Sequence, residues 1–487
     1  MFTDERRYDV WEQIRQHDVR AFSGLLAPSV LLEAAQRTGV KVVKSPLCVI
    51  NLIWLGVASA LHCTSDFASV LSLTLKLLED HPGFGGSSIG RAQRSGSRRS
   101  RRTSSGRKRS KHDPRRSDPT HVSEEAFAKA RRRLPLEFWV SLLMVLGERF
   151  EAERGERVRF GRFRLLAMDG THLDLPRYQA LQKHFGGAKN ATGSHNPQAQ
   201  LVMLTFPLVR MPYAYELSPL SVGEVSVAQR LVPRLRKNDL VLLDAGFWSY
   251  GLLWAIQNRG ACFAIRLKST VCLRTLRRLG RRDRLVRWTP KDSRGQWRKQ
   301  QLPRSIDLRV VEYQVPGFRP QAIVTNALDS QEISRDDWTR LTTACPAGRN
   351  LLPGLYHRRW EIETTYYELK VHQGLDRRLR SRTPESISYE VAGHVVLYLL
   401  VRWLMVQAAE KHGVDPLRLS YLGALRELLA MRSALVSAPT AWVARVLLPR
   451  LLERLATHFV PVRPGRHYAR KKSKRLHPSN PSRKKAA

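Results

Sequence analysis

Acidic residues are scarce in this chain of 487 residues, since 42 Asp and Glu stand against 83 Lys and Arg. The resulting formal net charge of +41 does not suit a protein with an acidic surface. It favours binding to a polyanion. Two runs carry about half of this charge: residues 91–116 have twelve basic residues and one acid, and residues 462–487 have ten basic residues and no acid. The remainder is also basic, so the charge is not confined to tails.

Cysteine is rare as well, and the five cysteines include no Cys-x-x-Cys pair. Neither a zinc ribbon nor a disulfide framework is therefore indicated. The first residues lack the basic-then-apolar order of a signal peptide. The most apolar window, Leu47 to Leu61, contains Asn51 and is too short to span a bilayer, so we expect a buried helix there. We expect no membrane association and a reducing cytoplasm.

Changes in composition divide the chain into regions. Residues 83–120 are rich in Gly, Ser and Arg, as disordered linkers are, and strand-like apolar runs begin after about residue 157. The predicted regions are a helical N-terminal domain at 1–82, a basic disordered linker at 83–120, a helical connector at 121–156, the first part of an α/β core at 157–268, a β-rich insertion at 269–338, the second part of the core at 339–411, a helical C-terminal region at 412–461 and a basic disordered tail at 462–487.

Two aspartates follow apolar runs at matching places. Asp169 follows "RLLAM" and Asp244 follows "LVLL", and a glycine comes within two residues of each. We therefore expect both carboxylates to project from strand ends, where ligands gather in α/β proteins. The alternative is an aspartate that only initiates a turn. Asp174 and Asp239 are weaker candidates, since neither is expected to close a strand.

A third acid lies in "YHRRWEIETTYYELK", which has helical character. At about 100° per residue, Tyr356, Arg359, Glu363 and Lys370 fall within one stripe of about 60°. Bulky residues flank this stripe on both sides, which favours a functional role for it, whereas a charged stripe alone is usually a solvated face.

Three carboxylates suit a particular chemistry. Asp169, Asp244 and Glu363 could together hold two Mg²⁺ ions, which take oxygen ligands. Two such ions support displacement at a phosphodiester. Arg359 and Lys370 would then hold the phosphate backbone of a nucleic acid.

At this point the residues resemble a known family. The spacing Tyr356-x2-Arg359-x3-Glu363-x6-Lys370 resembles the Tyr-Arg-Glu-Lys signature of bacterial insertion-sequence transposases of the DDE type, the insertion-sequence-four group. "MDGT" and "LLDAGF" are similar to the regions around that family's first and second catalytic aspartates, and the order of the acids matches. The resemblance covers roughly residues 120–410.

The resemblance implies a ribonuclease-H-like catalytic core interrupted by the β-rich insertion, with Asp169, Asp244 and Glu363 as catalytic residues and metal ligands. It implies that Tyr356 contacts phosphates of the transposon end, together with Arg359 and Lys370. Family members use Mg²⁺, with Mn²⁺ as a substitute, to cut DNA at their terminal inverted repeats and join the 3′ hydroxyl to target DNA. Several form a hairpin intermediate. A homodimer in the synaptic complex and a bacterial, nucleoid-associated location are implied as well.

Other DNA contacts are predicted less directly. In relatives a Trp of the β insertion stacks on a flipped base, so Trp288 and Trp297 are candidates, with core residues of the insertion as the alternative. Arg131 and Arg132 end a helix that begins near Ser123, and either contact DNA or form a solvated basic helix end. The N-terminal domain and the basic runs are expected to bind DNA, the runs without sequence preference. Their alternative is solubility or compositional drift.

Two other functions fit the same residues: a catalytically inactive DNA-binding regulator derived from a transposase, and a nuclease of the same fold. The intact acid triad counts against the regulator. The β insertion and the separate N-terminal helices favour transposition over the nuclease.

Overall fold

The computed structural model of the protein describes residues 22, 25–42, 47–61, 124–187, 196–290, 301–314, 321–339, 354–376, 379–438 and 440–461. The two basic runs and Trp297 lie outside the described residues, and so does the whole of the predicted linker at 83–120. In the described part the chain is a mixed α/β protein built on one large sheet, as the sequence predicts.

Ten strands form this sheet in the described residues. They are β1 Arg159–Phe160, β2 Phe163–Asp174, β3 Gln198–Phe206, β4 Met211–Pro219, β5 Asp239–Leu243, β6 Cys262–Arg266, β7 Arg274–Gly280, β8 Asp283–Trp288, β9 Ile306–Tyr313 and β10 Gln321–Thr325. The order is β4-β3-β2-β5-β6-β10-β9-β8-β7, with β1 paired to β2. The pairs β2–β5 and β5–β6 are parallel, and all the others are antiparallel.

Helices cover the sheet. Those in the described residues are α1 Pro28–Thr38, α2 Val49–Leu61, α3 Glu124–Arg131, α4 Leu136–Arg154, α5 Gln179–Phe185, α6 Glu224–Leu231, α7 Tyr250–Asn258, α8 Arg335–Thr339, α9 Trp360–Tyr367, α10 Pro384–Lys411, α11 Tyr421–Ser437, α12 Thr440–Trp442 and α13 Leu448–Thr457. A 3-10 turn, Leu355–Arg359, precedes α9, and a π turn, Glu368–His372, follows it.

The central parallel strands are apolar runs because both of their faces are buried. All five residues of β5 are buried. At its first residue, Asp239 forms a buried pair with Arg164 of β2, with Nε–Oδ1 at 2.7 Å. The same two residues are register partners, so this pair aligns β2 with β5. Asp239 is therefore structural, in agreement with its lesser weight as a site candidate.

The strands β7 to β10 lie within the range predicted to be β-rich, but they extend the central sheet instead of forming a separate one. The outermost strand, β7, is almost wholly exposed. Its pairing with β8 skips Leu276 and Leu279, which leaves two bulges along this edge. Arg277 and Arg278 lie between the two bulges, and Arg274 lies before the first one.

The core helix is α10. Among the described helices it is the one long and apolar enough to cross a membrane, and 94% of its most apolar 18-residue window is buried inside the protein. Its composition is thus that expected of a helix surrounded by other elements. The apolar window Leu47 to Leu61 is also largely buried, as α2, which confirms the predicted buried helix.

The N-terminal helices share their hydrophobic core with the sheet. Side chains of α1 and α2 belong to the same buried cluster as those of β2 and α10. The hydroxyl of Tyr389 in α10 donates a hydrogen bond to the carbonyl of Leu52 in α2. The N-terminal helices thus pack against the rest of the described structure, and all the region boundaries stay predictions.

The crossing of α2 and α10 depends on two glycines. A Cβ at Gly393 would lie 2.4 Å from the carbonyl oxygen of Gly56, whereas a Cβ at Gly56 would meet only side-chain atoms, at 3.4 Å. We expect Gly393→Ala to lower the free energy of unfolding by about 1–3 kcal/mol, because backbone atoms must move apart.

The matched control is Gly56→Ala at the same crossing. Alanine is favoured over glycine within a helix by about 1 kcal/mol. We therefore expect the control to leave stability unchanged or to raise it. Urea denaturation of both variants measures the difference, and equal losses would contradict the close backbone approach.

Candidate active site

Asp169 and Asp244 lie side by side where the parallel pairing of β2 with β5 stops. The last paired residues are Met168 and Leu243, directly before the two aspartates. Asp244 follows the end of β5, as predicted. Asp169 does not end its strand, because antiparallel pairing with β3 carries β2 on to Asp174. The expectation that Asp169 ends a strand, and Asp174 does not, was therefore wrong.

The segment that carries Glu363 is not one regular α-helix. Tyr356 and Arg359 lie on the 3-10 turn, Glu363 lies on α9 and Lys370 lies on the π turn. The predicted stripe at 100° per residue is thus only approximate. Tyr356, Arg359 and Lys370 nevertheless contact residues of β2, β5 and β6. Glu363 joins them through Arg359.

Arg359 joins the three acids. Its guanidinium lies 2.9 Å from Glu363 Oε1, 3.4 Å from Asp169 Oδ2 and 3.9 Å from Asp244 Oδ1. Arg359 is 3% exposed, and its guanidinium packs over the ring of Trp360 at 4.9 Å from the centroid. Burial lowers the pKa of Arg359, but neighbours that include Glu363 more than offset this and raise it overall. The predicted triad therefore converges on one buried cation.

Tyr366 fixes α9 to the strand of Asp169. Its hydroxyl donates to the backbone carbonyl of Asp169 at 2.6 Å and accepts from the backbone N–H of Met203 at 3.1 Å. Asp169 and Met203 are register partners on β2 and β3, so the phenol stands between the two strands. Sequence reasoning treated Tyr366 only as a bulky flank, and no spacing rule singles it out.

Tyr356 does the same between β5 and β6. Its hydroxyl donates to the carbonyl of Leu243 at 3.0 Å and accepts from the N–H of Arg266 at 3.1 Å. Tyr356 is 5% exposed, and burial raises its pKa well above the ordinary value. The hydroxyl thus binds backbone groups of β5 and β6 in this structure, and the phosphate contact of Tyr356 stays a prediction.

Lys370 lies beside the outer part of β2. Its Nζ donates to the carbonyl of His172 at 2.7 Å and pairs with Asp376 at 3.1 Å. The π turn that carries it begins at Glu368, a buried acid held by Arg402, by the hydroxyl of Tyr398 and by other buried groups. Attraction to Arg402 keeps the pKa of Glu368 below its usual value despite burial. This network fixes the far end of the site segment.

A fourth acid, which sequence reasoning missed, lies next to the aspartates. Glu224 begins α6, and a Cβ at Gly170 would lie only 2.0 Å from its Oε1. Burial raises the pKa of Glu224, His172 counteracts this and Asp244 adds to it. The available signals were the glycine of "MDG" and an acid at the first position of a helix.

The surroundings of Asp169 destabilise its ionised form. Burial raises its pKa to about 6, and the attraction of Arg359 offsets only part of this effect. Repulsion from Glu224 and Glu363 adds to it. A carboxylate whose pKa is raised in this way is stabilised when a cation binds next to it.

The remaining predicted DNA contacts have varied outcomes. Trp288 is 7% exposed and packs edge-on against Trp248 and Tyr250, with centroids at 5.0 and 5.1 Å. This burial favours the alternative of a core residue, and base stacking by Trp288 stays a prediction. Arg131 is half-buried over the ring of Phe127, and Arg132 is exposed. No contact of either arginine with the acids is seen in the described residues.

The donor set fits a hard divalent ion, because all its members are carboxylate oxygens. As they stand, no three His, Cys, Asp or Glu side chains of the described residues form a group ready to hold a metal. The position of Arg359 among the acids accounts for this, since the guanidinium supplies the positive charge that they require.

A family model described as the transposase DDE domain matches residues 161–400, the range that contains Asp169, Asp244 and Glu363. Over this range, just under half of its length, the chain is similar to the transposase DDE domain family. The transposase InsG for insertion sequence element IS4 of Escherichia coli (strain K12) is 27% identical over 304 residues, which are 60% of this chain. The chain spans 63% of that relative's length. The family resemblance is confirmed, while the four-residue signature stays a prediction.

A solved structure of a piggyBac transposase synaptic complex with hairpin DNA is also similar to this chain. The sequence identity is 11%, the match covers 62% of this chain and 58% of that chain, and the TM-score is 0.32. A TM-score of this size supports no argument about fold or mechanism.

We expect Asp169→Asn to stabilise the protein at pH 8 in the absence of metal. The folded-state pKa of about 6 is above the ordinary 3.8, so stability is lost as pH rises through that interval. Asparagine does not ionise, and the gain at pH 8 should reach up to about 3 kcal/mol and vanish near pH 4. Thermal denaturation at both pH values measures it. Asp307→Asn is the control, since Arg287 lowers the pKa of Asp307 and no gain is expected there.

We expect Tyr366→Phe to lower the free energy of unfolding by about 1–3 kcal/mol, because it leaves the carbonyl of Asp169 and the N–H of Met203 without this partner. The neighbouring Tyr367 is 54% exposed, so Tyr367→Phe should have little effect. Chemical denaturation compares the two variants. If the two curves coincide, Tyr366 does not anchor the helix.

Proposed function

We propose that this chain is an active transposase, which cleaves DNA at the ends of its insertion sequence and joins the 3′ hydroxyl to target DNA. One observation carries the proposal: Asp169, Asp244 and Glu363, far apart in sequence, converge on the Arg359 guanidinium within 2.9–3.9 Å. The three carboxylates that two-metal chemistry requires are thus together at one place in the fold.

We infer that the core is ribonuclease-H-like. The strand order β4-β3-β2-β5-β6, with three antiparallel strands followed by two parallel ones, supports this inference. The segment with Glu363 then returns to the middle of the sheet after β7 to β10, which supports their assignment as an insertion.

Asp169, Asp244 and Glu363 would hold Mg²⁺, or Mn²⁺ in its place. When bound, such ions activate the attacking oxygen and neutralise charge on the phosphate. Two tyrosines keep the acids in place through backbone hydrogen bonds to β2, β3, β5 and β6. With such ions bound, the acids would no longer need Arg359 to balance their charge, and its guanidinium would be the group that suits bidentate contact with a DNA phosphate. Lys370, which is 23% exposed, supplies a second positive charge near the end of β2.

The proposed substrates are the terminal inverted repeats of the element and a target DNA, bound by two copies of the chain. The net charge of +41 supports a polyanionic partner, with affinity that falls steeply as salt rises. A bacterial cytoplasm, with association to the nucleoid, is the location that suits such an enzyme. Arg131 and Arg132 stay candidates for DNA contact on the α3 side.

We expect Glu363→Gln to bind DNA as the wild type does and to lose nicking by about two orders of magnitude or more, because one oxygen ligand of the ions is weakened. The matched control is Glu361→Gln on the same helix. Glu361 pairs with Arg210 at 2.7 Å and takes no part in the acid cluster, so nicking should persist. The assay uses a labelled duplex with the ends of the flanking element, Mg²⁺, and a salt concentration at which all three proteins bind.

The outcomes separate the functions. If all three proteins bind DNA and the wild type cleaves it in neither Mg²⁺ nor Mn²⁺, the chain is a DNA-binding regulator and not a transposase. If the wild type cleaves branched DNA or RNA and does not prefer the element ends, the chain is a nuclease and not a transposase.

A further inference from the structure

The carboxylate of Glu224 occupies space that a side chain on β2 would otherwise need. Its Oε1 would lie 2.0 Å from a Cβ at Gly170, the residue after Asp169. Real Cβ contacts are never this short, so Gly170 is required for as long as Glu224 stays where it is. The glycine of "MDG" is therefore explained by the approach of a second acid to the strand of the first.

The same carboxylate faces the other aspartate. A Cβ at Gly246 would lie 3.8 Å from Glu224 Oε2 and 3.9 Å from Asp244 Oδ2. The two carboxylates therefore have oxygens within 4 Å of one point next to the backbone that follows β5. Glu224 thus has an oxygen close to the backbone after each aspartate.

Glu224 differs from the other three acids in its neighbours. In the described residues its carboxylate has neither an ion pair nor a hydrogen bond to a side chain, whereas Asp169, Asp244 and Glu363 share Arg359. Repulsion between Glu224 and Asp244 is unfavourable, and a cation bound between the two carboxylates would relieve it.

We propose that Glu224 supplies a fourth carboxylate to the divalent-metal site of Asp169, Asp244 and Glu363. This inference rests on the proposed function, because it adds a residue to the same site. Four carboxylates balance the charge of two divalent ions, whereas three leave a positive surplus. Glu224 approaches from α6, and Arg359 and Glu363 approach from the segment around α9.

The competing explanation is structural. An acid at the first position of a helix interacts favourably with the helix dipole, typically by less than about 1 kcal/mol. This role predicts a small loss of stability on substitution and no change in metal affinity. Metal binding without DNA therefore distinguishes the two explanations.

The experiment titrates the full chain with Mn²⁺ alone by calorimetry at pH 7.5. We expect Glu224→Gln to weaken Mn²⁺ binding about tenfold or more. Glu216→Gln is the matched control, since Glu216 is another half-buried acid, two strands away on β4 and influenced by Arg230. Its affinity for Mn²⁺ should equal that of wild type. Asp169→Asn serves as the positive control for the site.

Gly170→Ala tests the same idea without removing the acid. The new methyl group must push the Glu224 carboxylate aside, because the atom it meets is the end of a flexible side chain. We expect Gly170→Ala to weaken Mn²⁺ binding as Glu224→Gln does. The double variant should bind no more weakly than either single one, since both remove the same contact.

Each result has one meaning, once circular dichroism shows that the variants fold. Weaker binding by Glu224→Gln and Gly170→Ala, with Glu216→Gln unchanged, supports the inference. Normal Mn²⁺ affinity in both, with loss in Asp169→Asn, overturns it and leaves the proposed function standing. Normal affinity in Asp169→Asn removes the metal site itself, and the proposed function fails with it.

Discussion

The arrangement of the site depends on one electrostatic constraint: three carboxylates cannot share a half-buried space without a positive charge among them. Arg359 provides that charge from a position that is 3% exposed. The 3-10 turn and α9 carry both Arg359 and Glu363, so a single segment brings the cation and one of its anions to the sheet. The other two anions come from β2 and from the end of β5. Coulombic attraction thereby joins elements that are almost two hundred residues apart.

Hydrogen bonds supply the directional part of the same assembly. Tyr356 and Tyr366 place their hydroxyls between neighbouring strands, and Glu368 ties the end of the segment to Arg402 of the core helix. A buried acid of this kind contributes specificity of position more than net stability, since its desolvation offsets much of the attraction. The change from 3-10 to α to π geometry is the backbone's response to anchors that do not share one helical period.

Apolar runs, glycines and charge spacing predicted the α/β class and the acids that converge, whereas the family was predicted from the resemblance of the motifs to known ones. It did not predict that β2 continues past Asp169, since that depends on pairing with β3. The burial of Trp288 against Trp248 could not be predicted either. In a sequence, an aromatic residue of a core cannot be told from one of a binding site. Glu224 escaped notice because one acid at a helix start is common, and only the three-dimensional approach to Gly170 makes it unusual.

The edge of the sheet at β7 has a consequence for how copies of the chain meet. An exposed strand offers its free backbone groups to any other strand, and continuous pairing of this kind leads to fibres. Here two bulges interrupt the register and Arg274, Arg277 and Arg278 line the edge. A second copy that added its own β7 would bring arginines against arginines. Assembly by extension of the sheet is thereby disfavoured. Many copies could then gather at one polyanion without polymerising through this edge.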